Sequence, residues 1–157
     1  MRLHKNEKGF TFLELILFVT ILGIILGLSW PKLDSSFKYY KLRSSASLIV
    51  SDIRLIQQLS IGEGIWYKIK FDPVNNRYFI TRNINEDSLA QTYKIVNLEQ
   101  DVQLYSTNFP DNAIYFYSTG NPSQGGTISI TDGKEKYLYI IISPVTGRCR
   151  LSNLPPY

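Results

Sequence analysis

Apolar positions follow two different patterns at the start of the chain. From Phe10 to Trp30 they are almost continuous, and Glu14 is the only ionisable residue among them. About 20 apolar residues at a rise of ~1.5 Å each span the ~30 Å hydrocarbon core of a bilayer, so residues 10–30 are predicted to form a transmembrane helix. No other segment offers a membrane anchor. From Lys32 to about Ile61 the pattern becomes amphipathic. Leu42, Ala46, Ile49, Ile53, Ile56 and Leu59 recur at spacings of three and four with polar residues between them, which extends the helix over residues 31–61. Pro31 lacks a helical N–H and is expected to kink or loosen the helix just past Trp30. Gly23 and Gly27, four residues apart, permit close approach of a neighbouring helix. Gly62-Glu63-Gly64 supplies the stop.

Beyond Gly64 the period shortens to two. Alternation over Ile65–Phe71, turn chemistry at Asp72-Pro73-Val74-Asn75-Asn76 and a second run over Arg77–Thr81 predict a hairpin. Arg82–Gln91 is polar and reads as a loop. Short runs follow at Tyr93–Leu98, Val102–Tyr105 and Ile114–Tyr117, then a loop by composition over Ser118–Gly126. Thr127–Thr131 and Tyr137–Ser143 form a hairpin around Asp132-Gly133, and Arg148–Leu151 is the last strand. The predicted class is α+β: one long N-terminal helix packed on an antiparallel β domain, residues 62–157, of roughly seven short strands.

Charge adds orientation. Arg2, Lys5 and Lys8 against Glu7 on the short leading flank hold that end in the cytoplasm and send the bulk of the chain outward. The far end of the apolar run reads Ser29-Trp30-Pro31-Lys32, which lacks the small-residue site of a secretory signal peptide, so conventional signal cleavage is not expected. Without residues 1–9 the 17 basic and 13 acidic residues become 14 and 12, and overall charge carries no argument for nucleic acid. A carboxylate inside a membrane helix costs on the order of 2 kcal/mol or more at mid-membrane. Glu14 therefore snorkels, is protonated or needs a partner.

Lys8-Gly9-Phe10-Thr11-Phe12-Leu13-Glu14, following a short basic leader, resembles the processing motif of type IV pilins and pseudopilins. The resemblance implies that residues 1–9 are a leader removed by prepilin peptidase between Gly9 and Phe10, with methylation of the Phe10 amine. It implies that Glu14 pairs with the N-terminal amine of a neighbouring pilin subunit during filament assembly. An inner-membrane assembly platform and other pilin or pseudopilin subunits are the implied partners. A single-pass cytoplasmic-membrane precursor, then a periplasmic or cell-surface filament, is the implied location. Further along, Gly120–Ile130 (GNPSQGGTISI) and Ile140–Arg150 (IIISPVTGRCR) are similar to the C-terminal pattern of the GspH/FimT group of minor pseudopilins, competence pseudopilins included.

Catalytic chemistry finds little support. His4 is the only histidine and lies in the implied leader, and no nucleophile elbow, P-loop or paired acids stand out. No cofactor is expected. Metal binding lacks a ligand cluster. Asp72, Asp111 and Asp132 sit beside Pro, Asn or Gly and read as turn residues. Cys149, the only cysteine, reads as a small, partly buried strand residue. Arg148 and Arg150, two apart on a strand, share a face that suits phosphate, and Lys134 and Lys136 extend the patch if the strands align. The same arginines equally suit a solvated edge strand guarded against pairing. By resemblance to FimT-like pilins, Gly147-Arg148-Cys149-Arg150 implies DNA binding in natural transformation. Tyr115, Phe116, Tyr117, Tyr137 and Tyr139 are read as core and cross-strand residues, and Tyr39 and Tyr40 as interface anchors.

Overall fold

The computed structural model describes residues 11–83, 91–134 and 136–156, with the side chains of 28–35 left aside. The described residues form two units, one up to Phe37 and one from Lys38 onward. A single helix, α1, runs from Phe12 to Glu63. Helical backbone continues through Pro31, so the missing N–H does not end the helix. Gly64, at φ 69°, takes the left-handed conformation that closes it, as Gly62-Glu63-Gly64 predicts.

Eight strands follow among the described residues: β1 (Trp66–Asp72), β2 (Arg77–Asn83), β3 (Gln91–Asn97), β4 (Gln103–Thr107), β5 (Ala113–Phe116), β6 (Gly126–Thr131), β7 (Tyr137–Ile142) and β8 (Cys149–Ser152). Each falls on or within two residues of a predicted run. They divide into two antiparallel four-stranded sheets, ordered β3-β2-β1-β5 and β4-β6-β7-β8. Both predicted hairpins are present, with Ile69 opposite Ile80 and Ser129 opposite Tyr139. The predicted loop Arg82–Gln91 contributes its first two residues to β2 and its last to β3, while 84–90 lie outside the described residues.

One apolar core serves the unit from Lys38 onward. Leu42, Ala46, Ile49, Ile53 and Ile56 of α1 are fully buried against Tyr67, Ile69, Phe71, Tyr78 and Ile80 of the first sheet and Ile128, Ile130 and Ile140 of the second. Each buried Leu or Ile contributes about 1.5–3 kcal/mol. Leu59, predicted for the same stripe, is partly buried beside it. Asp52 also lies on the buried side. Its carboxylate accepts Tyr78 Oη at 2.7 Å and pairs with Lys94 Nζ at 2.7 and 2.9 Å, tying the helix to β2 and β3.

Candidate functional site

Gly9 and Phe10 lie outside the described residues; the first described residue, Thr11, belongs to the start of α1. Thr11 N–H donates to Glu14 Oε2 at 2.8 Å, its hydroxyl donates to the same oxygen at 2.9 Å, and Glu14 N–H donates back to Thr11 Oγ1 at 3.3 Å. This is a capping box, in which residues three apart satisfy each other's free groups at a helix start. The Glu14 carboxylate thus rests at the positive end of the helix dipole. The signal was present in the sequence as Thr11-Phe12-Leu13-Glu14.

Past the cap the side chains are apolar and uncovered. Phe12 and Leu13 are 78% and 76% exposed, and Leu17, Phe18, Ile21, Ile24 and Leu26 are exposed as well. Thr20 meets its own hydroxyl requirement by donating to Ile16 O at 2.7 Å. A Cβ added at Gly23 or Gly27 would meet nothing within 4 Å. Among the described residues no helix is long and apolar enough to cross a membrane. Residue 10 and the side chains of 28–30, at the two ends of the predicted span, are not among them.

The second predicted site is the β7–β8 hairpin. Gly147 (φ 65°) donates its N–H to Ser143 O at 3.0 Å, and Ser143 N–H donates to Arg148 O at 3.1 Å. Gln57 of α1 holds this turn, donating through Nε2 to Thr146 O at 3.0 Å and to Gly120 O at 2.9 Å. A side chain at Gly147 would press on Gln57 Nε2, at 2.9 Å, as well as requiring strained backbone. Arg148 and Arg150 are exposed and line a shallow depression of about 600 Å³ with Ile141, Ser143, Thr146 and Cys149. Neither guanidinium has an ion-pair or hydrogen-bond partner among the described residues.

Lys134 and Lys136 do not extend this depression. Arg150 pairs with Ile141, five residues along β7 from Lys136, which at ~3.3 Å per residue is about 17 Å away. Lys136 Nζ instead lies 5.3 Å from the centre of the Tyr39 ring. Cys149 is half-buried, and burial pushes its thiol up to about 11, which keeps it protonated at neutral pH.

The aromatic expectation holds in part: Phe116 is in the core and Tyr115 meets Trp66 across β1 and β5. Tyr67 and Tyr78 are fully buried, but Tyr115, Tyr117, Tyr137 and Tyr139 are half-buried or exposed, because Ile114, Phe116, Leu138 and Ile140 take the inward positions between them. Tyr137 meets Tyr105 edge-on at 5.3 Å and Tyr139 in a stack at 6.4 Å, so they pack on one another outside the core. Tyr39 lies beneath Lys136, while Tyr40 is 72% exposed.

A capped N-terminal helix with an uncovered apolar first half, joined to a two-sheet antiparallel domain, is a pilin-like architecture. The prokaryotic N-terminal methylation motif matches residues 4–30. Over 126 residues the chain is 28% identical to the competence protein ComGD of Bacillus subtilis, covering 80% of this chain and 81% of that one. Its fold is similar to that of the minor pseudopilin EpsH from the Type 2 Secretion System of Vibrio cholerae, with a TM-score of 0.61 and 18% identity over 72% of this chain and 97% of that chain. The type IV minor pilin FimU of Pseudomonas aeruginosa gives a TM-score of 0.59 at 13% identity over 73% and 90% of the two chains. The chain thus carries a prokaryotic N-terminal methylation motif at its start and a pilin-like fold beyond it, and is similar to type IV pilins and pseudopilins. The methylation motif implies processing by a prepilin peptidase, membrane anchoring, and assembly with other pilins.

Proposed function

We propose that the chain is a precursor cut between Gly9 and Phe10 and methylated on the Phe10 amine. It is held in the cytoplasmic membrane with its N-terminus inside, and the assembly platform then moves it into a filament of the competence type. The match to a competence protein over 80% of the chain supports that setting. The observation that carries the assembly step is the Thr11–Glu14 capping box, which begins at the second residue after the proposed cut.

In a single subunit Glu14 is satisfied by neutral donors of its own chain, which reduces the cost of a carboxylate at this depth. A neighbour's protonated amine is a stronger partner, because a charge-assisted hydrogen bond exceeds a neutral one. Exchange of one for the other favours assembly, and the uncovered apolar side chains from Phe12 to Leu26 pack against adjacent helices. Glu14→Val tests this. The mature mass should stay that of a chain beginning at methylated Phe10, while co-sedimentation with filaments is lost. Normal incorporation would remove Glu14 from assembly, and a mass that still includes residues 1–9 in the unmodified chain would remove the cleavage.

A second reading makes the subunit a DNA-binding minor pilin in natural transformation. It is favoured by the two exposed, unpaired guanidiniums of Arg148 and Arg150 on one depression. Its test is duplex DNA titrated with the full chain in non-ionic detergent. Binding should weaken steeply with salt and be lost in Arg148→Gln, Arg150→Gln. No binding at low salt would exclude it.

A further inference from the structure

The outer face of the first sheet carries a second cationic surface that neither the helix nor the arginine depression uses. Alternation along β1 turns Tyr67, Ile69 and Phe71 into the core, so Trp66, Lys68 and Lys70 share the opposite face. The β1–β5 register sets Tyr115 across from Lys68 and Ala113 across from Lys70. Lys68 Nζ lies 5.1 Å from the centre of the Tyr115 ring, and Trp66 meets that ring edge-on at 5.7 Å. Tyr117, just past β5, is 52% exposed. Lys68, Lys70, Tyr115 and Tyr117, together with the turn at Pro110–Asn112, line an open groove of about 660 Å³, with Trp66 outside it. Lys68 and Lys70 have no carboxylate partner among the described residues.

The groove's end is built at a backbone cost. Asp111 (φ 52°) and Asn112 (φ 53°) are successive non-glycine residues in the left-handed region, a conformation that side chains disfavour. Surrounding structure holds them there: Asn112 N–H donates to Phe109 O at 3.1 Å, and Asn112 Oδ1 accepts Thr107 Oγ1 at 2.7 Å. Both line the groove, opposite in chemistry to the lysines.

We propose that this groove binds a segment of single-stranded nucleic acid. Lys68 and Lys70, about 7 Å apart along one strand, meet successive phosphates of an extended chain. Tyr115 and Tyr117 offer ring surface to bases, which a polyphosphate lacks and a duplex keeps stacked within itself. Asp111 and Asn112 accept from and donate to exposed base edges at the end of the phosphate track. The depression at Arg148 and Arg150 has no aromatic residue in its lining and suits backbone contact alone. The single-strand site is independent of the reading that uses those arginines.

The experiment titrates a labelled oligothymidylate with the full chain in non-ionic detergent, at low and moderate salt, with a hairpin duplex and inorganic polyphosphate as competitors. Fluorescence anisotropy should report single-strand binding that weakens with salt. Lys68→Gln, Lys70→Gln should weaken it about tenfold or more and flatten the salt slope. Tyr117→Ala, at an exposed ring, should weaken it about five- to tenfold. Arg148→Gln, Arg150→Gln should leave it intact, and circular dichroism checks that each variant stays folded. The proposal is overturned by absence of binding at low salt, by loss in the arginine variant alone, or by polyphosphate competing fully while Tyr117→Ala has no effect.

Discussion

Tyr67 is fully buried although it sits near the end of the first β–helix connection, and its hydroxyl donates to Glu63 Oε2 at 2.8 Å. Burial first, and then the Glu63 carboxylate, push this phenol up to about 12, against about 10 in the unfolded chain. A raised folded-state value means that the stabilisation is complete below about pH 10 and is lost as pH rises through about 12. The urea midpoint should therefore be level from about pH 7 to 9 and fall between about 10 and 12. Tyr67→Phe should make that fall shallower. An equally steep fall in the variant would assign it to other groups, of which Cys149 and Tyr78 shift in the same direction. At this scale Glu14 and Gly147 are visible in the sequence by type, while the partners that hold them differ in reach along the chain. The Thr11–Glu14 box is a contact within one turn and was legible; the Gln57–Thr146 bond joins residues far apart in the chain and was not.

Helix and strand positions were largely legible because their periods are local. Residues 42, 46, 49, 53 and 56 fall on one side of a 3.6-residue helix whatever lies opposite. Asp52 was not legible, since a carboxylate between Ile49 and Ile56 reads as polar surface until β2 and β3 bring Tyr78 and Lys94 to it. Its side chain is only 5% exposed. Asp52→Ala would leave the Lys94 ammonium and the buried Tyr78 hydroxyl without their acceptor, and should destabilise the fold by about 3 kcal/mol. Chemical denaturation measures the loss. Asp52→Ala combined with Lys94→Met should lose less than the single change, since no unpaired charge remains; an equal or larger loss would show that the helix–sheet tie is not electrostatic.

Across the whole molecule, one sequence divides its apolar residues between a covered core and an uncovered helix. The residues that β1, β2, β5, β6 and β7 turn inward close the core together with the Leu42–Ile56 stripe of α1. Phe12 to Leu26 stay uncovered among the described residues, an apolar surface of the kind that marks a membrane or protein contact. The same β alternation that builds the core exposes two cationic surfaces, one with aromatic residues and one without.

By itself the sequence determined what depends on neighbours along the chain: the basic N-terminal flank, the motif through Glu14, the apolar run, the helical stripe and the strand positions. These rest on covalent order and on periods of two and 3.6 residues. Only the tertiary structure decided that the strands split into two sheets, that β1 pairs with β5 and β4 with β6, and that Lys134 and Lys136 stand at the other end of β7 from Arg150. It also decided which tyrosines lie outside the core and that Lys68 meets Tyr115. Those outcomes depend on register between segments separated by long stretches of chain, and a shift of one residue would turn every side chain to the other face.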